Sequence, residues 1–294
     1  MSQVSELLVP VLVSAAVTSL VALAFHLVIR TTSGIADFAI GQYVVVGGLA
    51  STTMVQEFQV PVPLAVLSGI ALASLVALIS DVVVFRPLEA TWGLRAGAFA
   101  AVVGSVALLW IWEQVAGLVF GEAAQRGPSF SEARFIAGDV RATGHDLIVI
   151  ALAGVVFVSL SVLLERTPLG RLLRATGDSR HSAEVLGLNT GGARASAFLL
   201  AGALAGVAGV LVAPLAGLRP SGGTVFTLNG FVALFLGGVA TPWGALAGAG
   251  LLEATRIVVS RFTGIFWQDY VVLLIALVIF ALRPRGILGG TGQN

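Results

Sequence analysis

The chain has no cysteine and no lysine, so all 16 of its basic side chains other than histidine are arginine. The first absence excludes disulfides, thiolate nucleophiles and thiol-ligated metals. The second excludes a phosphate-binding loop of the GxxxxGK[ST] type, so ATP bound in that way has to belong to another chain. Charge is scarce too: 11% of residues are charged and 57% hydrophobic, against about a quarter and about half in soluble domains. Three scattered histidines, His26, His145 and His181, show no ligand spacing, so neither a metal nor a cofactor is expected. The chain has no HExxH and no serine in a GxSxG setting, which leaves a membrane enzyme as a minor possibility. A net charge of +1 gives no reason to expect nucleic acid.

What the sequence does have is apolar runs of eighteen residues or more, each long enough to cross a hydrocarbon layer of about 30 Å. The expectation is an all-α, polytopic transmembrane bundle forming a single domain over residues 1–294. Spans are read at 7–29, 61–85, 97–120, 146–164, 195–217 and 267–282. The first is taken as a retained span, since Glu6 precedes it and no basic stretch does. Residues 33–56 open on SGIADFAIGQ, too polar for a lipid-facing helix, so a broken (unwound) or re-entrant half-helix is expected at its start. Residues 225–240 and 244–260 form two apolar pieces hinged at Thr241-Pro242-Trp243, and residues 121–145 a polar loop. The total is eight or nine spans.

Nine spans place ten arginines on one side: Arg30, Arg86, Arg95, the five between Arg166 and Arg194, Arg283 and Arg285. Six fall on the other, a modest bias that makes the first side cytoplasmic, together with the C-terminus. Ionisable residues inside spans are costly and need partners. Asp81 and Glu113 are expected at the interface, and Glu253 and Arg256, three apart on one helix face, can pair. Asp37 either caps the helix after it or lines a pathway. Gly202/Gly206, Gly244/Gly248 and Gly117/Gly121 have the spacing that lets helices approach closely.

One long polar passage lies between hydrophobic runs, RTPLGRLLRATGDSRHSAEVLGLN from Arg166 to Asn189, with Arg194 just beyond. Thr167 or Pro168 can start a helix with Leu169, Leu172 and Leu173 on one side. Gly177-Asp178 can end it, Asp178 or Ser179 can cap a second short helix, and Gly187 suits a left-handed terminus. Ser182 and Ala183 give that second helix a small-residue surface able to press into a partner's groove. A solvated loop made basic only by orientation remains the alternative.

The same residues resemble the branched-chain amino-acid ABC-transporter permease family, in its LivH-like branch. The family's inner loop, TxxGRAxRAxxxDxxxAxLLGIN, is matched in register by Thr167, Gly170, Arg171, Arg174, Ala175, Asp178, Ala183, Leu186, Gly187 and Asn189. Arg86-Pro87-Leu88 matches its RPL. Gly237, Gly238, Pro242, Gly244, Ala245 and Gly248 match its LGGxGSxxGAxxGG, and Pro284 with residues 286–289 matches its closing PxGLLG. Where the family has NFAHG, this chain has Asp37-Phe38-Ala39-Ile40-Gly41, placing an acid and an apolar residue in that stretch.

The resemblance implies a multi-pass inner-membrane subunit of an ABC importer for branched-chain or related amino acids, working by alternating access. Its partners would be ABC ATPase subunits, a second permease (a heterodimer), an extracytoplasmic solute-binding protein and the lipid bilayer. ATPase coupling would fall to residues 166–194, through Gly170, Arg171, Arg174, Asp178, Ala183, Glu184, Gly187 and Asn189. Asp37, Phe38, Gly41, Gly237, Gly238, Pro242 and Gly244 are the pathway or packing candidates. The chain itself would not be an enzyme. Alternatives are a permease for another small polar solute (urea, amides, sugar) and an ion-coupled secondary transporter.

Overall fold

The structure, a computed structural model, describes residues 2–32, 34–131, 133–137, 140–283 and 286–288. Ser33, Pro284, Arg285 and Gly289, and the side chains of Arg95 and Arg141, lie outside the described residues.

Helix α1 (Ser2–Thr31) is followed by a non-helical passage over residues 34–39 and then by α2 (Ile40–Gln56). The unwound start expected for the second stretch is therefore present. Every residue from Ile40 to Thr53 is buried, so α2 is a central helix. Its 17 residues extend about 25 Å at 1.5 Å per residue, and a helix sheathed by protein need not match the full hydrocarbon thickness.

Helix α3 (Val62–Ser80) runs through a π-helical segment, Asp81–Phe85, into α4 (Arg86–Phe120) without a break in the helical backbone. Gly104 nevertheless lies against Val84 and Leu88, and Trp112 Nε1 donates to Ser80 Oγ at 2.9 Å. The chain has therefore doubled back between the spans Val62–Leu88 and Phe99–Phe120. The connection between the spans read at 61–85 and 97–120 is thus a turn built from helix rather than loop.

The polar loop contains an antiparallel hairpin, β1 (Arg134–Ala137) with β2 (Val140–Thr143). It ends in a capping box in which Thr143 and Asp146 satisfy each other's backbone N–H groups, and this starts α5 (Gly144–Arg166). Then come α6 (Pro168–Asp178), α7 (Arg180–Val185), α8 (Thr190–Ala216), a 3-10 turn (Pro220–Gly222), α9 (Gly223–Gly237), α10 (Pro242–Thr263) and α11 (Ile265–Leu282).

In a bilayer, helices gain little from hiding apolar surface from equally apolar lipid, so close backbone approach has to hold the bundle. Here α2, α3 and α8 meet through glycine. Gly47 abuts Gly206, Gly69 abuts the Gly47 carbonyl, and Gly209 abuts the Val44 carbonyl. Gly202 sits on Ala73 and Ser74, as its spacing with Gly206 suggested, and Gly248 packs on the Ala233 carbonyl of α9. Gly117 faces only the Glu122 side chain.

Five helical stretches among the described residues are long and apolar enough to cross a membrane. A sixth is counted if Pro220–Gly237 and Pro242–Arg261, bent by 113° at their break, form one span. The architecture is a helical membrane bundle.

The bundle has two chemically distinct ends. At one, Gln125 bridges to Leu218 and the Arg126 carbonyl accepts from Gln56. At the other lie Arg30, Asp81, Arg86, residues 166–194 and the α9–α10 turn, where Ile287 and Leu288 donate to the carbonyls of Leu236 and Gly237.

Candidate functional site

The segment from Arg166 to Arg194 folds as two short helices, each stopped and started by local chemistry. Thr167 caps α6, its hydroxyl accepting from Gly170 N–H, and Pro168 fills the first helical position where no donor is needed. Ser179 ends α6 in an extended conformation and caps α7 by accepting from Ser182 N–H. Gly187, at φ +76°, takes the left-handed position that an L side chain resists, and the chain turns there. Asn189 then caps α8, accepting from Gly192 N–H at 2.8 Å.

The first helix is seated on its own subunit. Leu173 is buried, Leu169 and Leu172 pack on the core, and Arg171 points outward. Gly170 lies so close to the α5 terminus that a Cβ would collide with the Leu164 carbonyl, and Gly177 meets the Arg30 carbonyl in the same way. Arg174 donates to the carbonyls of Leu164 at 2.8 Å and Glu165 at 3.3 Å, tying down the α5 terminus. A cation is favourable there, because helix C-termini carry partial negative charge and unpaired carbonyls. Arg30 meets Asp178 at 3.5 Å across an exposed surface.

The second helix is held differently. Ala183 is 2% exposed. Of the small-residue surface expected at Ser182 and Ala183, Ser182 is exposed as expected, whereas Ala183 is the residue that turns α7 inward. Glu184 braces the helix through Arg180 Nε at 2.9 Å and the Thr190 hydroxyl at 3.0 Å. Those two hydrogen bonds, Arg180's first, hold its carboxyl below the usual range. What α7 presents outward is Val185 and Leu186, 74% and 77% exposed. Sequence reasoning passed over this pair. The available signal was an adjacent aliphatic pair, Val185-Leu186, in the most polar passage of the chain.

Just beyond α7, the first turn of α8 is locked into the bundle. Arg194 Nε donates to one oxygen of Asp81, and Arg86 Nε donates to the other at 2.8 Å. Arg86 also reaches the Gly191 carbonyl at 3.4 Å. Asp81 lies at the arginine-rich end of the bundle but is fully buried within the protein rather than open to the surface. The π-helical turn carries it inward beneath α8, and two guanidinium groups compensate the charge. Phe85 and Phe198 pack beside it with ring centroids 5.4 Å apart, and the Arg194 guanidinium lies over Phe198. An acid alone in an apolar run is the sequence signal for such a partner.

The other candidates knit the interior. Asp37 is buried and accepts from Ala39 N–H at 2.8 Å and from the Tyr43 hydroxyl at 2.9 Å, closing the turn into α2. Phe38 packs edge-on against Phe25 and at a tilt against Phe231, and its carbonyl accepts from Thr227 Oγ1. Gly41 abuts Gly223 and donates to the same hydroxyl. Gly237 touches the Gly244 carbonyl, Gly238 adopts φ +106°, and Pro242 starts α10. These three, with Gly244, form the tight α9–α10 turn. Glu253 pairs with Arg256 at 3.6 Å as expected and also accepts from Thr18 at 2.7 Å. Among the described residues there is no cluster suited to a metal.

A basic two-helix element, seated on α1 and α5 and clamped to the α3–α4 turn, is an arrangement to compare with known transporters. The family model described as "Branched-chain amino acid transport system / permease component" matches residues 7–282. The chain belongs to this family. The resemblance drawn from the inner loop is thereby shown for nearly the whole chain.

Relatives of this permease include the high-affinity branched-chain amino acid transport system permease protein BraD of Pseudomonas aeruginosa. It is 26% identical over 271 residues, covering 87% of this chain and 86% of BraD. The ribose import permease protein RbsC of Escherichia coli is 27% identical over 238 residues, covering 80% and 70%. Both are transport permease components rather than enzymes. Among solved structures, PsaBC from Streptococcus pneumoniae in complex with Fab aligns with a TM-score of 0.51 at 10% identity, covering 94% of this chain and 91% of that one. That likeness speaks for the fold alone. This permease is accordingly a multi-pass inner-membrane protein.

Proposed function

We propose that this permease moves branched-chain or closely related amino acids inward by alternating access, driven by ATP hydrolysis on separate ATPase subunits that dock on α7. The observation that carries this reading is the exposed Val185–Leu186 pair. It sits on a short helix capped at both ends, in a chain with no lysine for a phosphate-binding loop of its own. Arg180 and Glu184 flank the pair and supply a polar rim. A closing motion of the ATPases would press on α7 and pass along two routes. One runs through α6 into the ends of α1 and α5; the other runs through Asn189 and Arg194 to Asp81 and the α3–α4 turn.

In this reading the arginine-rich end and residues 286–288 face the cytoplasm, and α2, α9, α10 and α11 join the five long stretches to give eight or nine crossings. A second, related permease completes the pathway, and an extracytoplasmic binding protein delivers the solute. The likeness to a ribose import permease supports a sugar as a second ligand class under the same mechanism. An ion-coupled carrier is less well supported, because Asp37, Asp81 and Glu253 each have partners within the chain.

Because the chain has no cysteine, Val185→Cys creates its only thiol. In the assembled complex, that thiol should form a disulfide with a cysteine placed in the ATPase groove, and ATP should drive leucine uptake into proteoliposomes. Failure to cross-link together with uptake that needs no ATP would sink the proposal.

A further inference from the structure

At the arginine-rich end, α1, α5, α6 and the α9–α10 turn enclose a cavity of about 180 Å³ that none of the interactions above fills. At ~30 Å³ per water it has room for the equivalent of about six waters, the scale of a small metabolite rather than a lone ion. The lining is of mixed chemistry. Arg30 and Arg174 bring two guanidinium groups, Glu165 a carboxylate, and Leu27, Leu164 and Leu173 an apolar wall.

His26 decides that the cavity is more than a packing gap. It is 5% exposed, it lines the cavity, and its buried Nδ1 has no hydrogen-bond partner among the described residues. Leaving such an atom unsatisfied costs about 1–3 kcal/mol, which an occupant offering a polar group recovers. Each guanidinium has five N–H donors, so the bonds of Arg174 to Leu164 and Glu165 and of Arg30 to Asp178 leave donors over. Thr241 and Pro242 place the N-terminus of α10 at the same cavity, adding positive potential.

We infer that this cavity binds a zwitterionic α-amino acid with an apolar side chain, taken from the cytoplasmic side. The carboxylate meets Arg30 and Arg174, the ammonium group lies toward Glu165 and His26, and the side chain rests on Leu27, Leu164 and Leu173. A bare oxyanion would use the arginines but set its charge against Glu165 and leave the apolar wall without a partner. The inference rests on the importer reading and extends it. The occupant would join the last turn of α1 to α6, the seat of the ATPase-facing helix, so accumulated product would restrain further import.

The test is binding of radiolabelled leucine to the permease alone in nanodiscs, with no binding protein or ATPase present. Saturable binding is expected, competed by valine and not by phosphate. Arg30→Gln should weaken it at least tenfold, and Thr241→Trp, which fills the cavity from its exposed rim, should abolish it while the melting profile stays that of the wild type. Should Thr241→Trp melt early, Arg30→Gln decides. In the whole complex, leucine on the ATPase side should slow ATP hydrolysis in the wild type and not in Thr241→Trp. The inference is overturned by absence of saturable leucine binding, by binding that survives both substitutions, or by phosphate competing as well as valine. Loss of ATP-driven uptake in the complex would instead fell the importer reading, so the two failures are distinguishable.

Discussion

The two short helices between α5 and α8 are neighbours with opposite relations to the bundle. Helix α6 is built in: two glycines remove the side chains that would hold it off the ends of α5 and α1, and Arg174 holds the α5 carbonyls. Helix α7 is held at its termini, by Ala183 and by the hydrogen bonds of Glu184 to Arg180 and Thr190, and it shows two large aliphatic side chains to the outside. A lever needs both properties. A rigid seat passes force into the spans, and an unfilled apolar face gives a partner something to cover. The comparison teaches that the polar segment is not uniformly a docking surface, for most of its family-matching register spells out how it is anchored.

Four measurements bear on that contrast. The largest effect is expected at the far anchor. Asp81→Ala removes the carboxylate that Arg194 and Arg86 share in the interior, and breaking a buried pair by removing one partner costs about 3–5 kcal/mol. A thermal melt of purified permease should show a large fall or little folded protein, whereas an unchanged midpoint would mean that α8 is not held there. Next is the seat: Gly177→Val drives a side chain into the Arg30 carbonyl. Overpacking of this kind costs about 1–3 kcal/mol, so the midpoint should fall and uptake with it.

The third substitution inverts the pattern. Leu186→Ala lies on an exposed face, so stability should move by less than about 0.5 kcal/mol. ATP-driven uptake should drop about tenfold, corresponding to about 1.4 kcal/mol of lost docking energy. A melt that moves more than uptake would erase the distinction between seat and face.

The smallest effect concerns Glu184. Its carboxyl is held below its ordinary value of 4.5 by Arg180 and then Thr190. The bracing of α7 by this group is therefore complete above pH 4.5 and is lost as pH falls through the lower, folded value. Hydrogen exchange of residues 180–190 should hold steady from pH 7 to 5, apart from its intrinsic pH dependence, and lose protection below that. Glu184→Gln should remove the pH-linked step.

Much of this was legible in the chain itself. Thr167, Ser179 and Gly187 announce where α6 and α7 begin and end, because capping depends on a few neighbouring backbone groups and on φ. The glycine spacings announced close helix approach in the same way, although Gly117 did not deliver one. The burial of Asp81 was not legible, because its partner Arg194 lies 113 residues away and only the fold places it beside the π-helical turn. Ala183 was misread because a small residue fits an open groove and a crowded interior equally well. The hairpin at Arg134–Ala137 and Val140–Thr143 was hidden in a loop too short and too polar for period-two alternation to stand out.

By itself the sequence determined the helical membrane class, the position and caps of the basic two-helix segment, and the family. Those follow from apolar run length, local hydrogen bonding and motif order, all of which act over a few residues or along one line. Only the tertiary structure decided which face of α7 is free, that Asp81 is buried between two arginines, and that His26, Arg30 and Arg174 share one cavity. Those depend on which distant segments meet, and contact between residues far apart in the chain is set by packing rather than by spacing.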